Sequence, residues 1–189
     1  MSDDNAKLAD CLSEPARQAH DRALKSGILY VSGDISDESI YTIYHPLLEL
    51  RNNSRIKQVE ILINSAGGDA RLGLTIAKFI ANSKKKIITR VVGVAQSAAA
   101  IIFLGGHTRI VSPGSELMFH NSWIADFKSS SAQHSQSLYR MHKAIDDEMV
   151  DWIMTRSGIP DRKYVANQIN QEWYMTAAEA LELGVANSE

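Results

Sequence analysis

The sequence predicts an α/β domain, and two observations carry that prediction. Apolar, β-branched stretches of strand length alternate with stretches of helical spacing through the first two-thirds of the chain. Two of the strand ends, Ile63-Asn64-Ser65-Ala66-Gly67-Gly68 and Val91-Val92-Gly93-Val94-Ala95-Gln96-Ser97, run directly into small-residue turns that open a helix. Chain reversal that tight brings backbone close to backbone and excludes larger side chains. At 189 residues a single domain with a sizeable core is expected.

Taken in order, residues 1–27 are polar and alanine-rich and read as a peripheral N-terminal arm, in which Pro15 separates short helical stretches near 6–12 and 16–24. The remainder, residues 28–189, forms the domain. Residues 28–32 (ILYVS) are a strand, and Ser36 with Asp37 and Glu38 starts a helix carrying Ile40, Ile43, Tyr44, Leu47 and Leu48 on one face. Residues 59–63 are the next strand, followed by an amphipathic helix that points Leu72, Ile76, Phe79 and Ile80 inward. Lys84-Lys85-Lys86 reads as a solvated loop before the strand at 87–92. After the apolar helix that begins at Ser97 come short strands at 108–111 and 117–119, the latter ending at His120. Residues 121–136 are polar and serine-rich, as a flexible loop would be. Leu138, Met141, Ile145, Met149, Trp152 and Ile153 then mark a long projecting helix, about 130–157, closed by Gly158 and Pro160. A short helix at 164–169, a strand at 173–175 and a final helix with the capping box Thr176-Ala177-Ala178-Glu179, stopped by Gly184, complete the chain.

Composition narrows the function. A net charge of −2 leaves no basic excess for a phosphate backbone, which argues against nucleic acid. Cys11 is the only cysteine, so no internal disulfide can form, and its surroundings (ADCLSEP) offer no base to activate it. The acidic start MSDDNAKLAD lacks a signal peptide's basic and apolar regions. The longest apolar run, 91–106, is too short for a bilayer and contains Gln96 and Ser97. The expectation is a cytoplasmic protein with no membrane contact.

Ser97 stands where a buried strand hands over to a buried helix, between small neighbours Ala95 and Ala99. One reading makes it a nucleophile beside the unpaired N–H groups of a helix start; the other makes it an N-cap. The Gly67-Gly68 pair permits positive φ and could turn an N–H towards a bound acyl oxygen, or it is a plain turn. It is no phosphate-binding loop, since Gly-Lys-Ser/Thr is missing. None of the six histidines (His20, His45, His107, His120, His134, His142) pairs with another at metal-binding spacing, so neither a metal nor a cofactor is implied. His120 differs from the rest in closing an apolar strand where polarity returns, whereas His107 and His142 read as surface or helix-packing residues. Glu172 precedes Trp173-Tyr174-Met175, and Glu179 belongs to its cap.

Four segments, Ile63-Asn-Ser-Ala-Gly-Gly68, Gly93-Val-Ala-Gln-Ser97-Ala-Ala-Ala100, Met118-Phe-His120 and Tyr174-Met-Thr-Ala-Ala-Glu-Ala-Leu-Glu-Leu-Gly184, resemble in order the motifs of the ClpP serine peptidases. The likeness spans roughly residues 28–186. It implies the ββα spiral shared with crotonases, with Ser97 as nucleophile, His120 as general base, and Gly68 and Ala98 as oxyanion-hole donors. The family's aspartate falls at Glu172. The resemblance further implies peptide or unfolded-protein substrates, a homo-oligomer of stacked rings and an AAA+ unfoldase partner. Three departures accompany it. Glu172 is one methylene longer than aspartate, Ala66 replaces a proline, and residues 1–27 do not match the family's axial loop. Two other readings share the fold. A catalytically silent ring subunit would lose Ser97 or His120, and a crotonase-class acyl-CoA enzyme would need neither. The long helix, with Trp152, is the expected assembly surface.

Overall fold

The computed structural model describes residues 13–122 and 132–189. Its centre is a six-stranded sheet. β1 (Ile28–Ile35), β2 (Gln58–Gly68) and β3 (Lys86–Gln96) run parallel side by side. Two short strands then share β3 lengthwise. β4 (Thr108–Val111) pairs with its first half and β5 (Glu116–Phe119) with its end, both parallel. β6 (Trp173–Met175) closes the edge antiparallel to β5.

α1 (Glu14–Lys25) precedes the sheet, α2 (His45–Asn52) follows β1, α3 (Ala70–Ala81) follows β2 and α4 (Ala98–Leu104) follows β3. α5 (Ala132–Ser157), α6 (Arg162–Ile169) and α7 (Ala177–Glu182) complete the mixed α/β domain. Every residue of α4 is buried, as befits a helix that is apolar all round. β2 alternates cleanly, with Val59, Ile61, Ile63, Ser65 and Gly67 inward. α3 starts at Asp69, whose carboxylate accepts the Leu72 N–H at 2.8 Å. No helix among the described residues is long and apolar enough to cross a membrane.

Several local expectations are corrected. The helix expected near 16–24 is present as α1 and starts at Glu14, so Pro15 falls in its first turn, where the missing N–H is harmless. The stretch near 6–12 lies outside the described residues. The helix expected from Ser36 begins instead as one wide π-helical turn, Ile40–Tyr44, before α2. Pro46 supplies no N–H to a regular ladder there, and Ile40 faces solvent.

Lys85 is not simply solvated. Its Nζ donates to the carbonyls of Leu50 and Asn53 at 2.7 and 2.6 Å, tying the end of α2, and desolvation followed by Lys57 lowers its pKa. Residues 132–136 belong to α5 rather than to a loop, and Asn121 and Ser122 are hydrogen-bonded; residues 123–131 lie outside the described residues. Trp152 is partly buried, its Nε1 donating to Ile101 O at 3.4 Å.

The chain end is clamped from inside. Arg109 is almost wholly buried, and its guanidinium donates to the carbonyls of Gly106, Arg156, Gly184 and Val185. Arg156 in turn binds the carbonyls of Leu104, Gly105 and Gly106 at the end of α4.

Candidate functional site

β3 ends at Gln96 and α4 begins at Ala98, so a single residue turns the chain from strand to helix. That residue, Ser97, has φ 53° and ψ −123°, a region that non-glycine residues rarely enter and that costs on the order of 1–3 kcal/mol. Its N–H donates to Met118 O at 2.8 Å, locking the turn onto β5. The half-exposed side chain makes no capping bond to α4. The N-cap reading of this serine therefore falls.

The glycine turn lies directly against it. Gly67 and Gly68 have φ of 103° and 147°. A Cβ on Gly67 would come within 2.8 Å of Ser97 Cβ and 3.0 Å of Ala98 N. A Cβ on Gly68 would meet Ile35 O at 2.2 Å. Both positions therefore need glycine for close approach as well as for φ. Two side chains from the same stretch hold the turn. Ser65 accepts the Gly67 N–H and donates to Gly33 O. Asn64 Oδ1 accepts the Val94 N–H at 3.1 Å, in the space that the missing Cβ of Gly93 leaves open. Ala66, where the family carries proline, is exposed, so the turn is held by these hydrogen bonds.

His120 and Glu172 meet through strand register. Phe119 pairs with Trp173 across β5 and β6, so the next residue on β5 and the preceding one on β6 flank the same sheet end. They line one cleft with Asn121, Ser122, Ile169 and Asn170. Glu172 is exposed and has φ 56°. Apart from glycines, it and Ser97 alone have positive φ among the described residues. Ser97, His120 and Glu172 thus stand at one edge of three neighbouring strands, β3, β5 and β6. Among the described residues no hydrogen bond joins the three to one another. Such bonds commonly tighten only when substrate is bound.

The cleft continues into a second cavity between α5 and α6, where His142, Asp146 and Val150 join Asn121, Ser122 and Asn170. His142 Nδ1 lies 2.9 Å from Ser122 Oγ, and Asp146 Oδ1 accepts the Ser122 N–H at 2.7 Å. His142 is thus partly buried, packing from α5 against Ser122, and Asp146 went unnoticed in the sequence. Their spacing of four on one helix, beside Asn121-Ser122 in space but not in sequence, was the available signal.

The family model for Clp protease matches residues 13–188. Among curated proteins, the ATP-dependent Clp protease proteolytic subunit 1 of Borreliella burgdorferi is 28% identical over 173 residues, 89% of this chain and 87% of that one. The subunits of the same name from Shouchella clausii and Bacillus cereus are 28% and 27% identical. They cover 93% of this chain each, and 90% and 91% of their own lengths. With a match that runs through the sheet, the glycine turn and the serine turn alike, the chain belongs to the Clp protease family.

Proposed function

We propose that this protein is a serine endopeptidase of the ClpP type, acting on peptides or unfolded protein. Ser97 Oγ attacks the scissile carbonyl while His120 takes its proton. The N–H groups of Gly68 and Ala98 hold the developing oxyanion, and Glu172 orients and stabilises the His120 imidazolium. His120 then protonates the leaving amine, and water delivered through the same base hydrolyses the acyl-enzyme. One observation carries this reading: Ser97 is held in a strained conformation at the sheet edge shared with His120, yet does no capping. Strain of that kind persists where a site requires it.

A fluorophosphonate probe tests the reading. It should modify Ser97, and His120→Ala should abolish the labelling. Assembled protein left unmodified after long exposure would favour the silent ring subunit. The glutamate at the acid position is what speaks for that alternative.

The peptidase is proposed to work in the cytoplasm as a closed homo-oligomeric ring, because an open site there would threaten every unfolded chain. An AAA+ unfoldase is the partner such a chamber calls for. Light scattering during size exclusion, with a fluorogenic peptide assay on each fraction, should place the activity in a high-mass peak. Activity confined to a monomer of 20.9 kDa would overturn the chamber.

A further inference from the structure

We propose that the cavity between α5 and α6 is a specificity pocket and that Asp146 makes it select lysine or arginine beside the scissile bond. The proposal rests on the reading of Ser97 and His120 as nucleophile and base. Its first support is continuity. The cleft that holds His120 and Glu172 and the cavity beyond it share Asn121, Ser122, Ile169 and Asn170. A chain lying across His120 therefore has one adjoining recess for a side chain, between the two helices.

The recess suits a long side chain with a charged end. Val150 and Ile169 are buried to within 2% and give it apolar walls; the methylenes of lysine or arginine pack on such surface while the head reaches a polar partner. The charges decide which head. Among the described residues, Lys143 is the only lysine or arginine lining the cavity, beside the imidazole of His142, and Asp147 holds its Nζ at 2.7 Å. Asp147 also pairs with Arg162, which pairs with Asp151. Two acids and two bases thus balance among themselves on the outer rim. Asp146 stands outside that network. It makes no ion pair among the described residues, and its contact is the Ser122 N–H at Oδ1. A basic side chain entering the recess gives Asp146 a counter-charge. An apolar one would desolvate Asp146 without pairing it, and an acidic one would be repelled.

Ser122 follows His120 by two residues, so the carboxylate that reads the side chain also fixes the strand end carrying the base. Trypsin-like enzymes use a carboxylate at the base of their pocket to the same end.

The test is cleavage of a mixed peptide library by the full-length protein, with both new termini mapped by mass spectrometry. Lysine and arginine should exceed leucine and glutamate at one position flanking the cut by about tenfold or more. Asp146→Asn keeps an oxygen for the Ser122 N–H and removes the charge, and it should bring that preference close to parity. Thermal unfolding reports whether this variant is folded, and the native library profile stands without it. Equal cutting beside leucine, or a basic preference that survives in the folded variant, overturns the proposal. Fluorophosphonate labelling separates this from the underlying reading. If Ser97 is labelled, only the pocket assignment has failed; if it is not, the peptidase reading falls and the pocket with it.

Discussion

Ser65 Oγ accepts the Gly67 N–H at 3.1 Å while donating to Gly33 O at 2.5 Å, so one buried hydroxyl ties the glycine turn of β2 to β1. The Gly67 amide is thereby engaged, which leaves the proposed oxyanion role to the next amide, that of exposed Gly68. Ser65→Ala should leave a donor and an acceptor unpaired and cost about 1–3 kcal/mol of stability. It should also lower kcat for a peptide more than it raises KM, because the oxyanion donor acts chiefly in the transition state. Denaturant midpoints and steady-state kinetics read the two effects. An unchanged kcat would remove the brace from the catalytic geometry.

The strain at Ser97 makes a second prediction, this one on stability alone. Glycine adopts φ 53° and ψ −123° without a steric cost, whereas alanine keeps the offending Cβ. Relief on the order of 1–3 kcal/mol outweighs the added chain entropy of glycine, about 0.5–1 kcal/mol. Ser97→Gly should therefore be inactive yet more stable than Ser97→Ala. A glycine variant that unfolds first would show that the turn is not strained.

How far the sequence could be read follows from the kind of information each feature needs. Tight turns declare themselves locally. Gly67-Gly68, Ala95 and Ala99 around Ser97, and the Thr176–Glu179 capping box were legible because small or capping residues answer a local steric demand. The strand before His120 was visible because an apolar run, Leu117-Met118-Phe119, ends there. The opposition of His120 and Glu172 was not, since it depends on the register of β5 on β6. Nor was the recess behind them, because His142 and Asp146 reach Ser122 across 20 and 24 residues of chain. Lys85 looked solvated because nothing local shows that the carbonyls of Leu50 and Asn53 end beside it. Arg109 gave no sign at all, because its partners are backbone oxygens and three of the four, on Arg156, Gly184 and Val185, are far away in the chain.

That buried guanidinium supports a third prediction. Burial, and then Arg156 nearby, push the Arg109 pKa down to about 10. The folded state thus holds the cation less readily than the unfolded chain does. The cost of charging it is fully present below pH 10 and fades only above that, so it is constant across the neutral range. Lysine carries the same charge but cannot span four carbonyls with one ammonium. Arg109→Lys should cost about 2 kcal/mol or more through unpaired buried carbonyls. For a chain of this size that lowers Tm by roughly 4–8 °C. Salt should not restore it, since the lost bonds are not ion pairs. A variant melting with the native protein would show that water replaces the clamp.

The last prediction concerns Glu172, whose backbone at φ 56° and place opposite His120 set two separate demands. Aspartate tolerates positive φ better than glutamate does, so Glu172→Asp should fold without penalty at that position. Its carboxylate sits back by about one carbon–carbon bond, ~1.5 Å, while its charge is kept. Glu172→Gln keeps the length and loses the charge that favours the His120 imidazolium. If the acid acts through His120, kcat should fall in the order native, Asp, Gln. The last step should approach the ~10⁴ loss seen when a triad aspartate becomes its amide. KM should stay within about threefold, because a group that only positions the base affects the chemical step more than ground-state binding. The pH profile of kcat adds a readout that a structural role would not move. Its acidic limb reports the catalytic base and should shift down in Glu172→Gln, since an imidazolium deprived of its carboxylate gives up its proton more easily. A glutamine variant with native kcat and an unshifted limb would exclude Glu172 from the mechanism and leave a Ser97–His120 pair to act alone.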